Sequence, residues 1–205
     1  MNIENIKNIV FDFGGVICDL SPETCVANFQ KIGLAGDIFP QQYSQFDGIF
    51  QQIDRGIMTA SEFYDTLRHM SSMPGVTDQQ IRDAWTSLVL PIQPERYEAL
   101  RRLKDRFNLF ILSNSNEIHW DFIERQRMTY QGEDVTAWFK GIFLSHLLHL
   151  EKPEAEVFQA VLNTAHIEAS ETLFVDDSQA NLDGAAALGF RTLLAKGGDW
   201  IDKLS

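Results

Sequence analysis

The chain is organised around one stretch, Asn8-Ile9-Val10-Phe11-Asp12-Phe13-Gly14-Gly15-Val16. Its apolar residues run directly into Asp12, and two glycines follow. A continuous apolar run is typical of a strand buried on both faces, as in a parallel sheet. The glycines allow a sharp backbone turn and leave peptide groups open to a ligand. The stretch therefore predicts a buried strand that ends in a carboxylate at a ligand site.

Four more short apolar runs predict strands farther along the chain, at residues 109–112, 142–144, 172–175 and 192–194. Helical patterns separate these runs, and the first of them is expected from Pro94 to about Arg106. Strands that alternate with helices, and whose apolar residues are continuous, indicate an open parallel sheet. We therefore expect an α/β fold, a Rossmann-like parallel sheet sandwiched by helices.

Residues 17–92 show helical patterns only and predict an all-helical cap inserted after the first strand. Three helix starts carry a proline or a capping-box signal: Ser21-Pro22, Thr59 with Glu62, and Thr77 with Gln80. A glutamine- and aromatic-rich piece from Gln41 to Gln52 is also expected to be helical. The expected domains are an α/β catalytic core of residues 1–16 and 93–205 and a helical cap of residues 17–92.

Composition limits the class of protein. The 205 residues suffice for one domain with an insertion, and the net charge of −12 argues against a surface that coats nucleic acid. No apolar run approaches the roughly 18 residues of a membrane span, and Glu4 and Lys7 argue against a secretory signal. Cys18 and Cys25 are expected to be small core residues in a reducing compartment. We expect a cytoplasmic protein, a monomer or weak dimer, that binds neither nucleic acid nor membrane.

Polar side chains follow three of the predicted strands at their carboxyl ends: Asp12, Ser113-Asn114 and Asp176-Asp177. Any one of these groups alone could be a helix cap. Ligands of open α/β sheets, however, sit at the carboxyl ends of the strands. We therefore expect all three groups, together with Lys152, to converge on one site.

The chemistry of this set favours phosphoryl transfer. Clustered carboxylates repel one another and imply a hard cation with oxygen ligands, most naturally Mg²⁺. Ser113, backbone N–H groups and Lys152 are donors suited to phosphate oxygens. A carboxylate held against a phosphoryl group by Mg²⁺ can attack phosphorus and form an aspartyl phosphate.

Four motifs, in order, make the chain resemble the haloacid dehalogenase-like superfamily: Phe11-Asp12-Phe13-Gly14-Gly15-Val16, Leu112-Ser113-Asn114, Glu151-Lys152-Pro153-Glu154 and Val175-Asp176-Asp177-Ser178-Gln179-Ala180-Asn181. The resemblance covers essentially the whole chain. It is specific, because each motif falls where the strand pattern puts it. Within the branch that has a helical cap after the first strand, the chain resembles the sugar-phosphate phosphatases and the amino-terminal phosphatase domain of soluble epoxide hydrolases.

The resemblance implies a role for each matching residue. Asp12 would be the nucleophile and a magnesium ligand, and Lys152 would neutralise charge on the nucleophile and the phosphate. The backbone carbonyl of Gly14 and the carboxylate of Asp177 would be further metal ligands. Asp176 would complete the metal site by positioning a metal-bound water or Lys152.

Two motif positions remain. Ser113 and the N–H of Asn114 would hold phosphoryl oxygens. Asn181 matches a semi-invariant position of the epoxide-hydrolase branch and is equally consistent with a helix-surface asparagine.

The chain departs from the family pattern at Gly14. Most phosphatases of the superfamily have there a second aspartate that acts as general acid and base, a group worth roughly a hundred- to ten-thousand-fold in rate. Its loss argues against phosphomutase chemistry, which needs the group twice per cycle. Asp19, and His119 at the start of a helix, are candidates for a substitute acid, although a structural histidine is the commoner case.

Two functions remain open. The first is a magnesium-dependent phosphatase that hydrolyses a small phosphorylated metabolite, such as a sugar phosphate, through an aspartyl-phosphate intermediate. The second is a catalytically weak, phosphate-binding relative that acts as a sensor or interaction protein, because Gly14 replaces the general acid. The intact metal and phosphate ligands favour the first, and residues of the cap would set the substrate.

Overall fold

A parallel sheet of five strands lies at the centre of the protein in the computed structural model, which describes residues 5–35 and 48–204. In chain order the strands of this part are β1 (Asn8–Phe11), β2 (Asn108–Ser113), β3 (Thr129–Tyr130), β4 (Glu133–Asp134), β5 (Phe139–Leu144), β6 (Thr172–Asp176) and β7 (Arg191–Leu194). The sheet has the order β5-β2-β1-β6-β7, and all its neighbouring strands are parallel. The predicted parallel α/β sheet is confirmed, with β1 in the middle.

The described residues also form ten α-helices: α1 (Pro22–Lys31), α2 (Ile49–Asp54), α3 (Ala60–Met70), α4 (Asp78–Thr86), α5 (Pro94–Leu103), α6 (Glu117–Arg127), α7 (Ser145–Leu148), α8 (Ala155–Ala165), α9 (Gln179–Ala187) and α10 (Trp200–Leu204). The helix expected to reach Arg106 ends at Leu103. None of these helices is long and apolar enough to cross a lipid bilayer.

The two faces of the sheet pack against different helices. Ile9 and Phe11 belong to a cluster with side chains of α5, α6 and α10, whereas Val10 belongs to a cluster with side chains of α8 and α9. All three side chains are completely buried. Successive strand residues point to opposite faces, so a strand covered on both faces needs a continuous apolar run. This is why the apolar pattern of β1 does not alternate.

Helices α1 to α4 surround a hydrophobic cluster of their own, with the rings of Phe29, Phe50, Phe63 and Trp85 packed against one another. One member of this cluster, Ile118, comes from α6, which follows the central strand β2. The two parts of the molecule therefore share apolar packing. Their exact limits as separate domains, at residues 16/17 and 92/93, remain a prediction.

The predicted helix starts of this region hold in two cases and need a correction in the third. The capping boxes of α3 and α4, at Thr59 and Thr77, are both formed. Pro22 is the first residue of α1, as predicted, but the Ser21 hydroxyl donates to Thr24 Oγ1 at 2.7 Å and does not cap the helix backbone. Of the glutamine-rich piece, residues 41–47 lie outside the described residues, and α2 begins at Ile49.

Two connections join these helices to the sheet, and helices that pack on the sheet hold both of them. Leu20 of the first connection and Val89 of the second form an antiparallel bridge. Arg96 of α5 donates to both carboxylate oxygens of Asp19 at 2.8 Å, and Arg127 of α6 donates to the Val89 carbonyl at 3.4 Å. Each connection is therefore held by an arginine of the sheet-packing helices.

Two features fall outside the main pattern. The short strands β3 and β4 form an antiparallel hairpin that the sequence did not predict, since two-residue strands leave no readable period. Cys18 and Cys25 are buried and unbridged, which confirms the prediction of small core residues. Burial raises the pKa of both thiols, that of Cys25 to about 12.

Candidate active site

The sheet topology brings the predicted site residues to one edge. β1 lies between β2 and β6, with Phe11 aligned with Ile111 on one side and with Val175 on the other. Asp12 directly follows β1, and its N–H still donates to the Val175 carbonyl at 2.8 Å. Asp176, the next residue of β6, consequently lies beside it. The predicted convergence at the carboxyl ends of the strands therefore has a structural basis in this register.

Lys152 is the cation that joins these two carboxylates. Its Nζ lies 2.8 Å from Asp12 Oδ1 and 2.8 Å from Asp176 Oδ2, and its side chain is only 2% exposed. Burial alone would lower the pKa of Lys152, but the two carboxylates raise it above its ordinary value. Lys152 is therefore a fixed positive charge between two strands.

Asn114 holds the backbone that carries this lysine. The Asn114 Nδ2 donates to the Lys152 carbonyl at 3.0 Å, and the Asn114 Oδ1 accepts from the Lys152 N–H at 2.9 Å. The predicted phosphate contact of Asn114 concerned its backbone N–H, so its side chain has a second use that the motif did not reveal. Ser113, buried at the end of β2, precedes it.

Three carboxylates surround the one lysine. Asp12, Asp176 and Asp177 each offer an oxygen, and these oxygens lie within 4.8 Å of one another. Burial raises the pKa of Asp12 to about 7, because the opposing effect of Lys152 is offset in part by Asp176 and Asp177. Burial, and then Asp176, also raise the pKa of Asp177. One ammonium does not balance this cluster, and an all-oxygen donor set of this kind fits Mg²⁺.

The three carboxylates differ in how far the protein already engages them. Asp176 is completely buried, and besides Lys152 it accepts from the Ser178 N–H at 2.8 Å and from Asn181 Nδ2 at 3.0 Å. Asp177 is partly exposed. Asp176 is thus suited to holding Lys152, whereas Asp177 and Asp12 are better placed to bind a cation. The contact also gives Asn181 a place in the site rather than on a free helix surface.

Gly14 and Gly15, the two glycines after Asp12, serve different structural purposes. Gly15 has a φ of +79°, and a Cβ there would lie 2.4 Å from Asp177 Oδ2. The three atoms nearest to a Cβ at Gly14 all belong to the Leu20 side chain, and the closest lies at 3.1 Å. No backbone N–H of the described residues donates to the Gly14 carbonyl oxygen, which leaves that oxygen available as a ligand. Gly15 therefore permits the close approach of Asp177, and Gly14 offers its carbonyl.

Neither candidate for a substitute acid suits that role. Both carboxylate oxygens of Asp19 accept from Arg96, so this side chain is already engaged by the protein. His119 is buried, its Nε2 lies 3.0 Å from the Trp85 carbonyl oxygen, and burial lowers its pKa to about 4. His119 therefore has the structural role that was expected as the commoner case for a histidine.

Sequence reasoning missed the end of α2, which packs directly against the loops of the site. Asp54 is buried and accepts from Asn116 Nδ2 at 2.7 Å. Arg55 forms ion pairs with Glu151, at 3.0 Å, and with Glu154, the residues that flank Lys152-Pro153. The only local signal was an Asp-Arg-Gly turn after an apolar helix, and a solvated surface would give the same pattern.

Comparison with known proteins gives three informative matches and a family. A family model for haloacid dehalogenase-like hydrolases matches residues 6–189. D-ribitol-5-phosphate phosphatase of Bacteroides thetaiotaomicron is 32% identical over 98% of this chain and 97% of its own. A sesquiterpene phosphatase of Aspergillus oryzae is 27% identical over 89% of this chain and 86% of its own.

A solved structure shares the whole architecture. It is a haloacid dehalogenase family enzyme of Bacteroides thetaiotaomicron in complex with magnesium and inorganic phosphate, and it is 37% identical to this chain. The two superpose with a TM-score of 0.90 over 98% of this chain and 100% of the other. The likeness therefore extends through the helices inserted after β1 as well as through the sheet.

Proposed function

The chain belongs to the haloacid dehalogenase-like hydrolases, and on that premise we propose that it is a magnesium-dependent phosphatase of small phosphorylated metabolites. It is a phosphoric monoester hydrolase, and its preferred substrates are phosphorylated polyols and sugars. The observation that carries the proposal is the buried set of Asp12, Lys152 and Asp176 beside Asp177. A scaffold protein has no need to bury two carboxylates against one lysine, with a third carboxylate beside them.

The residues divide the work of metal and phosphate binding. Asp12, Asp177 and the Gly14 carbonyl would hold Mg²⁺, and Asp176 would orient Lys152 and a water of the metal. When bound, the cation offsets the negative charge of the carboxylates and of the phosphoryl group. Ser113 and the Asn114 N–H would bind phosphoryl oxygens. These two groups lie at the end of β2, the strand that pairs with β1 beside Asp12.

Asp12 then acts as the nucleophile. One of its carboxylate oxygens attacks phosphorus, the bond from phosphorus to the substrate oxygen breaks, and an aspartyl phosphate forms. Lys152 bonds Asp12 Oδ1, so it fixes the orientation of the carboxylate and neutralises charge as the second anion arrives. Attack of water on the phosphorus of the aspartyl phosphate releases inorganic phosphate and restores Asp12.

The step that lacks a dedicated group is protonation of the leaving oxygen. Gly14 has no side chain, Asp19 is bound by Arg96, and His119 is turned to Trp85. Both side chains predicted for this role are therefore already engaged by other protein groups. The leaving oxygen therefore departs with little help from these residues, and its own acidity should set the rate.

The extent of the similarity supports the proposed substrate class. The chain aligns with D-ribitol-5-phosphate phosphatase over 98% of its length, so the region expected to choose the substrate is included. The sesquiterpene phosphatase has a more distant sequence and acts, by its name, on a terpene rather than a polyol. This difference favours hydroxylated substrates over prenyl phosphates.

The test is phosphate release, with and without Mg²⁺, from D-ribitol 5-phosphate, pentose 5-phosphates, hexose phosphates and farnesyl phosphate. We expect release that requires Mg²⁺ and a higher kcat/KM for the polyol and sugar phosphates than for farnesyl phosphate. Asp12→Asn is the matched inactive control. The alternative function, a phosphate-binding sensor, is favoured by Gly14 alone. It would be supported by Mg²⁺-dependent binding of inorganic phosphate without turnover of any substrate.

A further inference from the structure

A buried polar network begins two residues after the proposed phosphate-binding residues. Asn116 ends the loop Ser113–Asn116 and caps α6, where its Oδ1 accepts from the His119 N–H at 2.9 Å. Its side chain is completely buried. Helix caps are normally at the surface and satisfied by water on their outer side, so a cap without solvent needs protein partners for its remaining donors.

The amide group of Asn116 has two such partners. Nδ2 donates to Asp54 Oδ1 at 2.7 Å, and it lies 3.3 Å from His119 Nδ1. The other ring nitrogen of His119 lies 3.0 Å from the Trp85 carbonyl, which can only accept. The proton of the imidazole is therefore on Nε2, and Nδ1 accepts from Asn116. Burial lowers the pKa of His119 to about 4, which keeps this ring neutral.

Asn116 is connected to the inserted helices in two ways, directly through Asp54 and indirectly through His119 and Trp85. Asp54 is the last residue of α2, and Trp85, whose ring stacks on His119 with centroids 4.3 Å apart, belongs to α4. Ile118 of α6 adds an apolar contact, since it is part of the cluster formed by α1 to α4. The beginning of α6 is thus enclosed between α2 and α4.

The two residues before Asn116 are each held by a hydrogen bond. The Ser115 N–H donates to Ser145 Oγ at 2.9 Å, and the same hydroxyl lies 2.5 Å from the Asp54 carbonyl oxygen. The Asn114 side chain binds the backbone of Lys152. A displacement of Asn116 would therefore shift Asn114 and, through it, the lysine that pairs with Asp12.

From this geometry we propose that Asp54, Asn116 and His119 are positioning residues that set the phosphate-binding loop by fixing it to α2 and α4. The inference rests on the proposed function, since it assigns these residues to the phosphate site of that enzyme. Asn116 touches no reacting atom. It acts through the loop, so the seating of the inserted helices determines how well Ser113 and the Asn114 N–H meet a phosphoryl group.

A purely structural role would make a different prediction. Residues that only stabilise the fold lower the melting temperature when they are changed, but the molecules that remain folded bind phosphate normally. A positioning role changes the affinity for phosphate at temperatures where every molecule is folded. The readout is therefore the Kd of inorganic phosphate, measured calorimetrically at saturating Mg²⁺ and well below the melting temperature of each variant.

The decisive variant is Asn116→Ser. Serine caps helices about as well as asparagine, so the bond to the His119 N–H is retained while both amide donors are lost. We expect phosphate to bind about tenfold to a hundredfold more weakly, because a displacement of about 1 Å at a site can cost that much. Asp54→Ala should weaken binding in the same direction. Asp54→Asn keeps an oxygen that can accept from Asn116, and it should bind phosphate within about twofold of the wild type.

The control is Arg82→Ala. Arg82 of α4 pairs with Asp121 of α6, so this change also removes a polar contact between the inserted helices and α6, but between two half-buried side chains and without a bond to Asn116. Its phosphate affinity should be unchanged. Asn116→Ser and Asp54→Ala that bind phosphate as tightly as the wild type would overturn the inference. Should Asn116→Ser fail to fold, Asp54→Ala decides alone.

The two proposals fail in distinguishable ways. A wild type that binds phosphate with Mg²⁺ but hydrolyses no substrate overturns the phosphatase, while the same series of affinities still decides the positioning role. A wild type that binds no phosphate overturns both. Wild-type turnover with unchanged affinities in Asn116→Ser and Asp54→Ala overturns the positioning role only.

Discussion

Two buried carboxylates of this protein, Asp12 and Asp54, have opposite surroundings. Asp12 lies beside two further carboxylates and against a lysine, in a cluster whose negative charge exceeds its positive charge. Asp54 receives its hydrogen bond from the neutral amide of Asn116. Burial raises the pKa of each to about 7. The same shift thus arises in a site made for a cation and in a network that its own protein groups fill.

The difference teaches that a perturbed carboxylate is informative only together with its partners. Around Asp12 the neighbours are charged, and Asp177 is partly exposed, which are properties of a site that takes up an ion. Around Asp54 the hydrogen-bonding neighbours are an amide and a hydroxyl whose partners are protein atoms, and the charge of Glu151 adds only a lesser contribution to its pKa than burial does. We propose that the first arrangement performs the chemistry and that the second holds the first in place.

Replacing Asp12, the proposed nucleophile, should produce the largest effect and separate the two regions most sharply. We expect Asp12→Asn to reduce phosphate release by at least about a thousandfold, because an amide is a poor nucleophile and a poor ligand for Mg²⁺. The variant should fold, and without metal it should be no less stable, since one of three clustered charges is removed. Steady-state kinetics and thermal unfolding in EDTA measure the two parts. Activity above about a tenth of the wild-type value would mean that another residue attacks.

A matched pair of glycine variants tests whether the cation binds where the carboxylates meet. Gly15→Ala places a methyl group 2.4 Å from Asp177 Oδ2 and requires an unfavourable backbone at a φ of +79°. It should reduce Mg²⁺ affinity and activity about a hundredfold. Gly14→Ala meets a flexible leucine side chain instead and should lose far less. Equal activation of both variants by Mg²⁺, titrated kinetically, would place the metal elsewhere.

The empty position at Gly14 predicts a dependence on the leaving group. A series of aryl phosphates should show kcat/KM rising steeply with the acidity of the phenol, since Asp19 is engaged by Arg96 and His119 by the Trp85 carbonyl. Gly14→Asp supplies a carboxyl group, at the cost of moving the Leu20 side chain, and should flatten the slope and accelerate the poorest leaving group about tenfold. A shallow slope in the wild type would reveal an acid in the site that these residues do not provide.

The smallest effect concerns stability and pH. The pKa of Asp54 is about 7 in the folded protein and 3.8 when exposed, so the folded state holds more protons in this interval and stability falls as pH rises through it. Asp54→Asn removes this loss. In EDTA its melting temperature should exceed that of the wild type at pH 8, by about 2–4 °C for each kcal/mol, and the excess should vanish near pH 4.

His119 provides the opposite sign in the same interval. Its pKa falls from 6.5 to about 4 on folding, so stability is lost as pH drops below 6.5. In Asp54→Asn this contribution is no longer opposed, and the variant should lose stability on acidification more steeply than the wild type. A parallel pair of stability curves for the two proteins would show that Asp54 is not titrating in the buried network.

Sequence predicted the parts of the site that are local. Asp12 and Asp176 end buried strands, and a strand end is readable from the apolar run before it. Asp54 was missed because its partner Asn116 lies 62 positions away, and the sequence of neither segment indicates that the two side chains form a hydrogen bond. The ion pair of Arg96 with Asp19, which are 77 positions apart, was not predicted for the same reason. Burial of polar groups is a tertiary property, and short patterns do not contain it.

The central place of β1 has a consequence for how the protein is made. Asn8 pairs with Asn108 and with Thr172, and the first of these partners comes 100 positions later. At about 5–20 residues per second, a ribosome needs roughly 5–20 s to deliver it. During that time the apolar run that begins the chain has neither strand neighbour, whereas the helices that follow it can already find one another. The cellular factors that protect nascent chains from aggregation therefore have to cover β1 until β2 has been synthesised.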